Sequence, residues 1–289
     1  MTDPLDLFSL HLSGVMLTLT VLGLIISAIT PEIENWNRKF FMSLFAMNIL
    51  LVGAALVALF AWEVPGMAFA EKIAIYFEGL LISLPMPMFT AYLLHTCGEK
   101  WKKSGIFRSA LVIWIIFFIL LGITQFTTIF YYITPENKFY RGSWHFLLLM
   151  PMIMLMILNL RVVIRRRSKI SKKNYVAFLI FIIPLTIALF ADAFFFVPEL
   201  VFIGLIVSSF SMFGIIIYDQ IERYMRQQRK IANKKANIMV LQMRPHFIYN
   251  AMMSIYYLCA QNPEKAQQVT LDFTTYLRKN NSLQSINLL

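Results

Sequence analysis

Within the run QMRPHFIYNAMMSI, residues 242–255, a histidine follows a proline and precedes an asparagine by four positions. Imidazole, with an ordinary pKa of about 6.5, is mostly neutral near pH 7 and offers a nitrogen lone pair to an electrophile such as phosphorus. His246 is therefore a candidate nucleophile. On a helix, Asn250 falls one turn further along the same face, within hydrogen-bonding reach of the ring or of a group attached to it. Pro245 lacks an amide proton and its ring crowds the carbonyl of Leu241, which predicts a bend or restart, and hence a hinge, just before the histidine.

The neighbouring sequence supplies elements to hold such a site. Asn262, Pro263 and Glu264 form a helix start, with an asparagine cap, a proline at the first helical position and an acid beside the positive helix end. Ala266, Val269, Phe273, Tyr276 and Leu277 then share one face, and Ile248, Met252, Ile255 and Cys259 share a face of the helix before. The pattern predicts a short antiparallel hairpin that buries too little alone and completes a four-helix bundle as a dimer. Upstream, residues 219–244 contain neither glycine nor proline and read as one connecting helix. Ile217, Tyr224, Ile231 and Ile238 repeat every seven residues, the spacing of a coiled-coil seam. Their companions Ile221, Gln228, Lys235 and Gln242 are mostly polar, so the seam is weak. The other reading is a single amphipathic helix lying on anionic lipid through Arg223, Arg226, Arg229, Lys230, Lys234 and Lys235.

The rest of the chain belongs to another solvent. With 59% hydrophobic and 14% charged residues over 289 positions, it is too apolar for a water-soluble domain. Seven apolar runs of bilayer-spanning length are expected, near 7–29, 40–62, 72–94, 107–130, 144–164, 175–197 and 200–218. Lysine and arginine number thirteen in the odd connections and three in the even ones, which predicts an outer N-terminus and a cytoplasmic tail in a multi-pass plasma-membrane protein. Acidic residues without basic ones precede the first run, so it reads as a span and not as a cleaved leader. The net charge of +11 is explained by this bias and does not call for direct nucleic-acid binding. Cys97 and Cys259 both fall on the reducing side, which argues against a disulfide. Pro85, Pro87, Pro151 and Pro184 are expected to kink their helices.

Three polar side chains fall in the outer half of the spans: Glu78, Gln125 and Asp192. Each is costly in lipid and is expected to face the bundle interior or a wet cavity, either lining a pocket for an extracellular or membrane ligand or holding helices together. Other chemistries are disfavoured. The last span has no lysine for a retinal Schiff base, no HExxH occurs, and the four histidines and two cysteines show no metal-ligand spacing. No internal repeat of the kind common in transporters is evident.

The segment from Leu241 to Lys279 resembles the phosphoacceptor region of the LytS-type sensor histidine kinases. That pattern runs Gln, two variable residues, Pro-His-Phe, an aliphatic residue, an aromatic residue and Asn, then an Asp/Asn-Pro-Glu-Lys-Ala turn and a Leu-Arg ending. Here it appears as Gln242, Pro245, His246, Phe247, Ile248, Tyr249 and Asn250, then Asn262, Pro263, Glu264, Lys265 and Ala266, and finally Leu277 and Arg278. Arg244 stands where Asn is common. The resemblance implies a bacterial two-component phosphorelay in which His246 is phosphorylated from ATP with Mg2+ and passes the phosphoryl group to an aspartate of a cytoplasmic response regulator. By analogy with other histidine kinases, it gives Asn250 a positioning role or a part in dephosphorylation. The last glycine is Gly214 and only residues 279–289 follow Arg278, so the ATP-binding domain is expected to be missing from the chain as given, whether as a fragment, a truncated form or a short form phosphorylated in trans. The expected organisation is all-α: a seven-helix sensor over 1–218, a signal helix over 219–244 and a dimeric phosphoacceptor hairpin over 245–289. The alternative is a non-catalytic receptor or decoy that dimerises with a full-length kinase.

Overall fold

The computed structural model describes residues 4–30, 33–64, 66–135, 137–195 and 198–286, with side chains described outside 4–6, 198, 236–245 and 279–286. The fold is all-α apart from one two-stranded hairpin. Helices α1 (Pro4–Ile29), α2 (Asn35–Glu63), α3 (Ala68–Ser83), α4 (Pro85–Thr96), α5 (Gly105–Ile123), α6 (His145–Arg165), α7 (Lys172–Phe195), α8 (Pro198–Gln261) and α9 (Pro263–Ile286) follow in order. Seven stretches among the described residues are long and apolar enough to cross a membrane, with α3 and α4 together forming one of them. The chain divides into two compact units, Met1–Glu222 and Arg223–Leu289, and α8 contributes to both.

In the first unit, α2 packs against α1 and α3, and α6 against α5 and α7. The core is aromatic where α2, α4, α7 and α8 meet. Phe213 of α8 sets its ring edge-on to Phe41 and Phe45 of α2, at 5.0 and 5.2 Å, and Phe89 of α4 stacks on Phe181 of α7 at 4.9 Å. A buried polar tie crosses the same region. Thr90 donates to Asn159 Oδ1 at 2.7 Å, and Asn159 donates to the Met86 carbonyl at 3.4 Å. Side-chain donors of this kind are how apolar bundles satisfy polar groups that no water reaches.

Among the four prolines expected to kink spans, only Pro85 coincides with an interruption. It is the first residue of α4, immediately after Leu84. Leu84 itself keeps helical dihedrals, φ −59° and ψ −36°, so the break is slight. Pro151 and Pro184 lie inside α6 and α7, which run through them.

The fourth span is shorter than its apolar run. α5 ends at Ile123, and residues up to 130 belong to turns that lead into β1 (Tyr131–Ile133) and β2 (Phe139–Arg141). The two strands pair antiparallel, with Tyr131 opposite Arg141. Asn137 turns this hairpin at φ 58°, a left-handed conformation that asparagine tolerates. Its amide donates to the carbonyls of Ala61 at 2.8 Å and Val64 at 2.6 Å, closing the open end of α2. After β2 the chain folds tightly back: a Cβ at Gly142 would fall on the Ile129 carbonyl, so only glycine fits there.

The second unit is a helical hairpin. Asn262 Oδ1 accepts from the Lys265 amide at 3.0 Å, and Pro263 opens α9, as the local sequence predicts. The expectation of a restart before His246 is not met. α8 is helical through Pro245 and the residues on either side, because a proline costs a helix one hydrogen bond and some crowding without forbidding it.

Candidate functional site

His246 is exposed on the last third of α8. Its Nδ1 lies 3.3 Å from the carboxamide nitrogen of Asn250, one turn on. A carboxamide presents either its nitrogen or its oxygen to such a partner by flipping. With the nitrogen inward, the amide donates to Nδ1 and the ring proton resides on Nε2. With the oxygen inward, Nδ1–H donates to it and Nε2 carries the free lone pair. The orientation of the Asn250 carboxamide is thus coupled to the tautomer of the His246 ring. Pro245 falls among the residues whose side chains are not described, so its hinge role is outside the described side chains.

The hairpin holds this turn from behind. Phe247 packs on Phe273 and Tyr276 of α9, with ring centroids 6.0 and 5.4 Å apart. Ala266 is buried, and Val269, Phe273 and Leu277 are half-buried beside it. On α8 the inward stripe is Ile248, Ala251, Ile255 and Leu258. Met252 and Cys259, expected to face inward, are exposed instead. They lie one position beyond Ala251 and Leu258, on the flank of the stripe that packs against α9. The neighbouring stripe, Tyr249, Met252 and Tyr256, stays more than 60% exposed. Tyr224, Met225 and Ile231 on the connecting stretch are exposed too, at 41%, 51% and 47%.

In the first unit, the β-hairpin bonds to two of the three polar residues, Gln125 and Asp192, while Glu78 lies on α3. Gln125 sits in the turn after α5 and not within a span, and its amide donates to the Tyr131 hydroxyl at 3.3 Å. Thr124 Oγ1 lies 3.1 Å from the same oxygen. Burial raises the pKa of the Tyr131 phenol above its ordinary value, nearby Glu78 adds to this, and the contacts from Thr124 and Gln125 oppose it. Asp192 is ion-paired with Arg141 at 2.7 Å, and Arg141 also donates to the Asp192 carbonyl at 2.9 Å. Because Tyr131 and Arg141 are register partners, one hairpin links Gln125 after α5 with Asp192 of α7. In the sequence, Arg141 has only a part in the charge bias and Tyr131 only a place among the interfacial aromatics, with no link to the three polar residues. Lys72 adds a further tie, donating to the Gln125 carbonyl at 2.8 Å.

The opposite end carries charge pairs that sequence reading also missed. Arg166 grips Glu99 with two bonds, at 2.9 and 2.7 Å, and Lys169 joins at 3.1 Å. Arg166 holds the Glu99 carboxyl below its ordinary pKa. Among the described residues, no three His, Cys, Asp or Glu side chains gather as a metal site would require.

Among the described residues, seven helices long and apolar enough to cross a membrane, followed by a helical hairpin with an exposed histidine, fit a membrane protein. Residues 235–288 match the model of the family described as Histidine kinase. The matched stretch holds His246, Asn250 and nearly all of α9, and it supports a histidine kinase, to which the seven apolar helices fit as a sensor. No curated protein matches the chain.

Proposed function

We propose that this chain is the sensor and phosphoacceptor portion of a LytS-type histidine kinase in a two-component system. The observation that carries the reading is the coincidence of the matched stretch with an exposed His246 whose Nδ1 is engaged by Asn250. With the Asn250 oxygen inward, Nε2 presents its lone pair to the terminal phosphorus of ATP, and the Nδ1 proton stays hydrogen-bonded throughout. In this reading ATP and Mg2+ are held by an ATP-binding domain of the kind the family resemblance implies. The phosphoryl group then passes to an aspartate of a response regulator, and Asn250 orients water when the regulator is dephosphorylated.

The exposed stripe of Tyr249, Met252 and Tyr256 supports a homodimer, in which two hairpins complete a four-helix bundle and the weak connecting seam carries the signal. The stimulus enters on the outer side, where Gln125 and Asp192 meet the β-hairpin and flank, with Glu78, a ligand site. Loss of response in both Glu78→Gln and Asp192→Asn supports that site; an unchanged dose dependence in both removes it.

The phosphoacceptor reading is tested by incubating the reconstituted dimer with labelled ATP, with and without a separately supplied ATP-binding domain of this kinase class. Acid-labile, base-stable label that needs the added domain is expected. Absence of label in both cases, with heterodimers still formed with a full-length kinase, favours a decoy receptor instead. For Asn250→Ala, weakened autophosphorylation with intact regulator dephosphorylation would contradict the water role.

A further inference from the structure

At the basic end of the bundle, where α7 begins and α8 leaves its apolar stretch, the two helices enclose a groove of about 450 Å³. Its walls are Val176, Gly214, Ile215 and Tyr218, with Lys172 and Lys173 at one end. Val176 and Tyr218 are 47% and 64% exposed, so the groove opens on the flank of the bundle, the side that faces lipid in a spanning protein. Gly214 keeps it open: a Cβ there would meet nothing within 4 Å, and the space it would occupy belongs to the groove. Lys173 lies 4.8 Å from the Tyr218 ring centre and is bound to Glu222 and, at 3.4 Å, to Asp219. Lys172 is exposed.

We propose that this groove binds one anionic phospholipid of the surrounding bilayer. An acyl chain lies along Val176, Gly214 and Ile215, and the phosphate sits between the two lysine ammonium groups. The walls select a lipid over a soluble anion, because inorganic phosphate has nothing to offer an apolar trough. The lysines select an anionic headgroup over a zwitterionic one, since paired cations at headgroup depth favour net negative charge. Their long stems let them keep the ammonium groups at the surface while the chain lies beneath.

The position gives the site a regulatory consequence. Asp219 and Glu222 lie on α8 where it emerges, and they hold Lys173 of α7. A lipid phosphate competes with these carboxylates for the same ammonium. Binding therefore loosens the tie between α7 and the helix that continues toward His246. The site depends on the bundle alone and is independent of the chemistry at His246.

The test is native mass spectrometry of the full chain, titrated with phosphatidylglycerol and, separately, phosphatidylcholine. One phosphatidylglycerol per chain is expected to be retained at least about tenfold more tightly than phosphatidylcholine, from the attraction of two lysines. Lys172→Gln, at an exposed position, weakens it by about fivefold. Gly214→Leu fills the groove and removes the bound lipid, while Glu222→Gln removes a competitor and tightens binding. Equal retention of the two lipids, displacement by millimolar inorganic phosphate, or unchanged binding in Lys172→Gln overturns the site. Unchanged binding in a folded Gly214→Leu does the same, and unchanged affinity in Glu222→Gln overturns the competition with α8.

Discussion

The two compact units of this chain solve packing in different ways. Met1–Glu222 finishes its interior within one chain, with fully buried rings on α2, α4 and α7 and polar groups tied across the helices. Arg223–Leu289 does not. Ala266 is the one residue among its described side chains that is buried, and its tyrosines and methionines line exposed stripes. Hydrophobic burial is the main favourable term in folding, and in a helical hairpin this thin most of it is left for the proposed dimer to complete. The contrast suggests a division of labour: a bundle that holds its shape, and a tail whose state depends on what it packs against.

The largest expected effect breaks the unfinished half. Replacing Tyr249, Met252 and Tyr256 together with lysine puts like charges on the dimer stripe and is expected to convert the reconstituted protein to monomers, read by size and by crosslinking, while thermal unfolding of the bundle stays unchanged. The next strikes the finished half. Asp192→Asn takes the carboxylate from the Arg141 ion pair at the β-hairpin, with an expected loss of about 3 kcal/mol in bundle stability and no change in self-association. Smaller again is Asn262→Ala, which removes the cap of α9 and costs the hairpin about 1 kcal/mol, measured by hydrogen exchange of the α9 amides.

The smallest is a pH effect at Glu99. Because Arg166 depresses its folded pKa, the stabilisation is present at neutral pH and is lost as pH falls from the ordinary carboxylate range through the depressed value. The pair is partly exposed, so Glu99→Gln is expected to cost no more than about 1 kcal/mol at pH 7 and progressively less as pH falls below the ordinary carboxylate range.

Local features were legible in the sequence and distant ones were not. The Asn262 cap and the Pro263 start depend on residues within one turn, and they form as their types require. The seven apolar runs were readable because a bilayer imposes a length that no short-range accident reproduces. The end of the fourth span was not readable. Ile129, Phe130 and Tyr131 are as apolar as a span, yet they turn into a hairpin whose partners lie on α2, α5 and α7. The Arg141–Asp192 pair joins residues 51 apart in sequence, so no periodicity announces it. At the candidate site, the histidine and its asparagine were legible from a spacing of four. Which stripe of α8 turns inward was misjudged by one position at Met252 and Cys259, since the two apolar stripes are adjacent and only packing against α9 selects between them.

The central claim is that His246 accepts phosphate at Nε2 while Asn250 holds Nδ1. The most direct measurement is site localisation of the phosphoryl group on the reconstituted protein, after reaction with ATP, Mg2+ and an added ATP-binding domain, by mass spectrometry at alkaline pH combined with ring-nitrogen NMR. Phosphate on His246 Nε2, absent in His246→Gln, is the predicted result. Phosphate on another residue, or undiminished labelling of His246→Gln, would contradict it.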